Sequence, residues 1–234
     1  MEDTNLIIFV HTCKAYEDSR AKKIYNTWGS KDNVVFITDN PNSKLKNHIY
    51  IGPYKKGPTY HPENVVKMFD LFINRYENYD WFMIIDDDSY LYVDKLVDYL
   101  KFNDKNDSLM VGDFLNWPCE IPNGNWEEPN EYYLNQFDYN LWIGGGSGIV
   151  FTKKCIIAYL ELIDKFTGED CNHDLWLHRI FQEYGSKIIK RIHCCGFHQY
   201  GYDSVDFDKK DSNLLISVHL NNNVGSIDHF HKLI

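Results

Sequence analysis

The sequence predicts an α/β protein, a single Rossmann-like domain with a mostly parallel central sheet flanked by helices. Three observations carry this. Short apolar runs alternate with amphipathic stretches from residue 6 to residue 102, the pattern of βαβ units. The apolar run Trp81–Ile85 ends abruptly on Asp86-Asp87-Asp88, and in open α/β sheets ligands gather at the carboxyl ends of strands. The chain of 234 residues, 44% hydrophobic and 25% charged, suits one domain of ordinary size with a full core.

The elements follow in order. Leu6 to Val10 is a short apolar run, read as the first strand. Asp18 or Ser19 can cap a helix running to about Trp28, with Ile24 and Trp28 four apart on one face. Val34 to Thr38 reads as the second strand, closed by the turn residues Asp39-Asn40-Pro41-Asn42. From Lys44 to Tyr60 a polar loop is expected, with one short strand at Ile49–Ile51. Pro62 suits the first turn of a helix that carries Val65, Val66, Phe69, Phe72 and Ile73 and ends near Tyr76. After the Trp81–Ile85 strand, Val93 to Phe102 has the spacing of another amphipathic helix. The region from Asn116 to Gln136 is loop-rich, Ile149-Val150-Phe151 is a further apolar run, and Lys153–Phe166 and His173–Tyr184 are expected helices. No internal repeat or linker divides the chain. One domain over residues 1–234 is expected, with a nucleotide-binding half to about 115 and an acceptor-binding and catalytic half beyond it.

Composition narrows the function. With 34 acidic against 24 basic side chains the net charge is −10, which argues against nucleic acid as a partner because that needs a basic face. Any anionic substrate must then be met by a local metal and a few cations. No apolar run reaches the roughly 20 residues of a membrane span, and no signal peptide opens the chain. Cys13, Cys119, Cys155, Cys171, Cys194 and Cys195 show no CxxC spacing, so a zinc cluster is not expected. Their even number permits disulfides without requiring them, and the vicinal pair reads as packing. Asn106-Asp107-Ser108 is a lone glycosylation sequon.

Crowded carboxylates at a strand end raise one another's pKa and repel. A divalent cation relieves this, and hard cations take oxygen ligands. Two phosphate chemistries use such a motif. A phosphatase with an aspartyl nucleophile after a strand wants Asp-x-Asp-x followed by Thr or Val, near the N-terminus of its domain. Here two strands come first, and Asp86-x-Asp88-x is followed by Tyr90. A nucleotide-sugar transferase uses Asp-x-Asp to hold a metal against the donor diphosphate, and the mid-chain position fits it better.

Other candidates are weaker taken singly. Gly144-Gly145-Gly146-Ser147-Gly148 is not a dinucleotide fingerprint, since it precedes an apolar run. It reads equally as a tight turn or a close approach to ligand. Asp170, in Gly168-Glu169-Asp170, is a general base or a helix cap. His219 is a structural histidine or a metal ligand, and Arg20 a surface residue or a phosphate contact.

In combination, these segments have the order of a known family. Thr12 to Trp28 with Ser19-Arg20, Val35–Asp39, Asp80-Trp81-Phe82 through Asp86-Asp87-Asp88 and Val93-Asp94-Lys95-Leu96, Gly144–Gly148, Gly168-Glu169-Asp170, Gly196-Phe197-His198-Gln199 and Ser217-Val218-His219-Leu220 together resemble the fringe-like β-1,3-glycosyltransferases, most closely the plant fringe-related group. The resemblance spans residues 6 to 222 and implies an inverting enzyme of the GT-A fold that uses a UDP-sugar and manganese, with magnesium as the alternative. It implies that Asp88 binds the metal, with Asp87 beside it and His219 as the last protein ligand. Asp86 would hold the motif or contact the nucleotide. Thr12, Arg20 and Asp39 would hold the nucleotide, and Gly145 and Gly146 would lie against the donor. Asp170 would take the proton from an acceptor hydroxyl, with Asp174 as the second candidate. The acceptor is left as a glycan, a glycoprotein or a small molecule, with Trp117 and Trp126 as stacking candidates. The family's usual setting is the secretory pathway, but this chain displays no signal or anchor, so the cytoplasm is open as well. A non-catalytic sugar- or nucleotide-binding protein on the same fold is the second reading, and the phosphatase the third.

Overall fold

A computed structural model of the chain describes residues 4–54, 62–114, 142–166, 172–199, 215–221 and 223–232. Its centre is a seven-stranded sheet made of β1 (Leu6–His11), β2 (Val34–Thr38), β3 (His48–Tyr50), β4 (Trp81–Asp86), β6 (Leu109–Gly112), β7 (Ile149–Thr152) and β8 (Lys190–His193), in the order β3-β2-β1-β4-β7-β6-β8. All pairings are parallel except those of β7, which runs against both β4 and β6. The fold class read from the sequence is therefore the observed one. The reversed strand has no signature in its own residues, because a doubly covered strand is apolar whichever way it runs. A second sheet joins β5 (Ser89–Leu91), β10 (Ser217–His219) and β9 (Phe197–His198), with β10 in the middle.

Apart from its edge strand β3, the large sheet is largely buried on both faces, and strand alternation sorts its side chains. Leu6, Ile8, Val10, Phe36, Trp81, Met83 and Ile85 point to one core, shared with Trp28, Leu96, Tyr99, Phe197, Val218 and Phe230. Ile7, Phe9, Val35, Ile37, Phe82 and Ile84 point to the other. There they meet α2 (Pro62–Arg75), α4 (Lys153–Ile163) and α5 (His173–Ile180) through Phe69, Phe72, Tyr159 and Leu177. The small sheet thus lies over one face of the large one, on the same side as α1 (Lys22–Tyr25), α3 (Val93–Leu100) and α6 (Ile227–His231).

Two local expectations need correction. The first helix does not begin at a cap on Asp18 or Ser19. A π-helical turn, Glu17–Ala21, starts it without a side-chain cap, and the α-helical part ends at Tyr25. Ile24 and Trp28 are nevertheless both buried, so the apolar spacing held while the backbone between them did not stay regular. The Glu17 carboxylate is drawn inward by the Thr38 hydroxyl and the Asn40 amide, each donating at 2.8 Å. The third strand starts one residue earlier than its apolar core, at His48, where β2 offers partners from Phe36 to Thr38.

Candidate active site

The site forms where the two sheets meet. β4 continues one residue past its apolar run, so Asp86 is still within the strand, opposite His11 of β1. Asp87 and Asp88 then turn the chain into β5, whose Ser89 faces His219 of β10. Leu220 donates its N–H to the Asp88 carbonyl at 2.9 Å. The short turn and this cross-strand pairing bring a carboxylate from one sheet to an imidazole from the other.

Asp86, Asp88 and His219 each offer a ligand atom within 4.8 Å of the others'. His219 Nε2 lies 3.1 Å from Asp88 Oδ1. Asp86 Oδ1 is buried and has no hydrogen-bond partner among the described residues. Burial pushes the Asp86 carboxyl well above its usual range, a shift that His219 opposes and the charges of Asp88 and Asp87 reinforce. Burial also raises Asp87, to about 6, against the hydrogen bond from Thr12 and the charge of Arg20. At His219 burial acts downward, but the hydrogen bond to Asp88 and the charges of Asp86 and Asp88 outweigh it and raise the imidazole. Two oxygen donors and one imidazole nitrogen fit a borderline-hard divalent cation such as manganese, and a buried carboxylate oxygen without a protein partner is the kind of atom such an ion satisfies.

The resemblance put Asp87 beside the ion, at the metal or the donor sugar, and gave Asp86 the holding of the motif or a nucleotide contact. In the structure the two carboxylates have different surroundings. Asp87 accepts the Thr12 hydroxyl at 2.6 Å and the Arg20 guanidinium at 3.1 Å, while Asp86 stands with Asp88 and His219. Three identical residues in a row carry no signal of which way each points. The reversal of the chain at Asp87-Asp88 decides it.

The remaining candidates are distributed around this centre. Arg20 also reaches Asp88 at 3.2 Å and lies over the Tyr16 ring at 3.8 Å. Its burial acts to lower its pKa, but Asp87 and Asp88 hold it above the ordinary value, so it stays charged. Thr12 is buried directly after β1, and its carbonyl accepts from the Tyr54 hydroxyl at 2.8 Å. Asp39 follows β2 and accepts the Lys14 N–H at 2.7 Å. Gly145 and Gly146 lie in the loop before β7. A Cβ on Gly146 would stand 2.6 Å from His219 Nδ1, and one on Gly145 would overlap the His173 ring. The Gly146 carbonyl accepts from the Ser89 hydroxyl at 2.7 Å. Gly148 has φ +103°, a conformation that favours glycine. Asp174, in the first turn of α5, accepts the Leu175 N–H at 2.7 Å and that of Gly145 at 3.4 Å. Asp170, Trp117 and Trp126 lie outside the described residues, as do Cys119 and Cys171.

Sequence reasoning missed two residues. Tyr54 closes over the ends of β1 and β2 from a stretch read only as polar loop. Gln199, noted only as the end of a motif block, touches both the glycine loop and His219. Its one signal was its place directly after a strand residue near the chain's other C-terminal block.

A solved glycosyltransferase involved in glycosylation of the major capsid of PBCV-1 matches over 98% of this chain and 100% of its own, at 10% identity and a TM-score of 0.50. That identity speaks for the fold alone. Galactosyltransferase LgtC, solved with donor and acceptor sugar analogs, matches over 98% of this chain and 96% of its own at 10% identity and a TM-score of 0.47. The bifunctional glycosyltransferase WbbM matches over 94% of this chain and 46% of its own at 12% identity and a TM-score of 0.48. No curated protein matches the sequence. The family model described as Fringe-like matches residues 1–228, and the chain belongs to that family.

Proposed function

We propose that the protein is a metal-dependent glycosyltransferase that moves a sugar from a UDP-sugar to an acceptor hydroxyl with inversion, forming a β-1,3 linkage. Membership of the Fringe-like family supports the glycosyltransferase. The observation that carries the metal dependence is the convergence of Asp86, Asp88 and His219 at the carboxyl edge of the central sheet, while the UDP donor, the inversion and the linkage follow the family resemblance. These three residues would hold the ion, manganese or magnesium. When bound, the cation supplies positive charge against the diphosphate of the departing UDP. Arg20, anchored by Asp87 and Asp88, would face the same diphosphate from the side of the first helix. Thr12 and Tyr54 would shape the nucleotide cleft, with Asp39 at its rim. The half up to about residue 115 would bind the donor, and the half beyond it would bind the acceptor, which is a glycan, a glycoprotein or a small molecule.

In this reading Asp170 accepts the proton of the acceptor hydroxyl as the oxygen attacks the anomeric carbon. The bond from that carbon to the UDP oxygen breaks on the opposite face, which inverts the centre.

The experiment is a thermal-shift titration with UDP, with and without manganese, on the protein and on Asp88→Asn. A ligand that binds only the folded state raises the melting temperature by mass action. The expected result is a shift that needs manganese and disappears in the variant, followed by transfer activity in a UDP-sugar screen. UDP binding without any transfer or donor hydrolysis would favour a non-catalytic binding protein. Turnover of a simple phosphate ester with magnesium, without UDP binding, would favour a phosphatase.

A further inference from the structure

Gln199 sits at the end of β9, where four segments converge. Its N–H donates to Asp113 Oδ2 at 2.9 Å, at the end of β6. Its side-chain Oε1 accepts the Ser147 N–H at 2.9 Å, from the glycine loop. A Cβ on Gly144 would overlap its side chain, so the loop is closely fitted to it. Both its backbone carbonyl and its amide Nε2 approach His219 Nδ1, at 3.2 and 3.3 Å. The Ser147 N–H requires an oxygen opposite it, which fixes the amide with Nε2 toward the imidazole.

His219 Nδ1 therefore faces one acceptor and one donor, both from Gln199. With the hydrogen on Nδ1, it donates to the Gln199 carbonyl, and Nε2 keeps its lone pair toward Asp86 and Asp88. With the hydrogen on Nε2, Nδ1 accepts from the Gln199 amide, and Nε2–H points to Asp88, 3.1 Å away. The ring is held in one orientation in either state. Partners of the second ring nitrogen fix the tautomer and direction of a metal-binding histidine.

We propose that Gln199 is the positioning residue of His219. It aims Nε2 into the Asp86–Asp88 cluster and locks the glycine loop behind the ring through Ser147. This rests on the reading of Asp86, Asp88 and His219 as a cation site, and the test separates the two.

Binding of Mn²⁺ alone is measured by the electron paramagnetic resonance of the free ion, on the wild-type chain, Gln199→Ala and Gln199→Glu. Nitrogen-15 spectra of the histidine rings are recorded on the same three proteins without metal. Gln199→Ala is expected to weaken Mn²⁺ binding by about 10- to 100-fold and to alter the His219 ring signals, with other histidines unmoved. Gln199→Glu keeps an acceptor for the Ser147 N–H and sets a second acceptor at Nδ1. It is expected to restore affinity to within a few-fold of wild type and to shift His219 toward the Nδ1–H form. A role in folding alone would lower the melting temperature of Gln199→Ala without a selective loss of Mn²⁺. Mn²⁺ binding and His219 signals unchanged in Gln199→Ala would overturn the proposal. Wild type that takes up no Mn²⁺ would overturn the cation site, and the metal-free ring signals would still decide the role of Gln199. Should Gln199→Ala not fold, unchanged His219 signals in Gln199→Glu overturn the proposal.

Discussion

The two sheets differ in how they are assembled. Strands β1, β2 and β4 of the large sheet come from one continuous half of the chain, each an apolar run buried along its whole length. The small sheet gathers three short strands from residues 89–91, 197–198 and 217–219. Burial of wide apolar faces makes the first a scaffold. The second has little area of its own and borrows the core beneath it, which Tyr90, Leu91, Phe197 and Val218 join. Asp86 stands on the scaffold and His219 on the borrowed layer. Stability is thus concentrated in one sheet, and the alignment of the site depends on how the other lies on it.

The largest effect is expected at the joint. Asp88→Ala should cost transfer about 100-fold or more, since the charge of a bound cation is worth several kcal/mol in such reactions, while circular dichroism stays native. Full transfer by the folded variant would remove Asp88 from the site. Within the scaffold, Phe82 is fully buried and meets Phe9, Phe69, Phe72 and Phe151. Phe82→Ala should destabilise by about 3–5 kcal/mol in urea unfolding, yet the folded fraction should bind Mn²⁺ as wild type does. A matching fall in affinity would mean that the sheets do not divide the labour.

Gly146→Ala should do the reverse. Its Cβ would press on the His219 ring at 2.6 Å, so a cost of about 1–3 kcal/mol should be accompanied by clear loss of Mn²⁺ affinity in a titration. The smallest effect concerns pH. Burial, and then the charges of Arg191 and Arg179, lower His178 on α5 to about 4. The unfolded chain binds this proton first, so the contribution of His178 to stability should be level above about pH 6.5 and decline as pH falls toward 4. The slope in that window, read from denaturant midpoints, should flatten in His178→Leu. An unchanged slope would place the titration elsewhere.

Much of the scaffold was legible because apolar runs bounded by turn residues carry their own period and length. Val34–Thr38 was read with the boundaries observed, and Pro62 was placed at its helix start. The small sheet was less legible. Ser89–Leu91 and Phe197–His198 are too short to show a period, and their pairing with β10 is fixed by contacts distant in sequence, such as Ser89 with His219 and Phe197 with Ser217. The same limit hid the surroundings of Asp86 and Gln199. Both meet neighbours brought to them by the chain's return, His219 among them.

The class of fold, the place of the acidic triplet at a strand end and the family to which the chain belongs are all readable from residue order, because they rest on local hydrophobic patterning and on the succession of motifs. Tertiary structure alone decided which carboxylates face His219, that Arg20 pairs with Asp87 and Asp88, and that Gln199 stands behind the imidazole. Those outcomes depend on side-chain direction at a chain reversal and on the packing of one sheet over another, and neither is encoded in the spacing of residues along the chain.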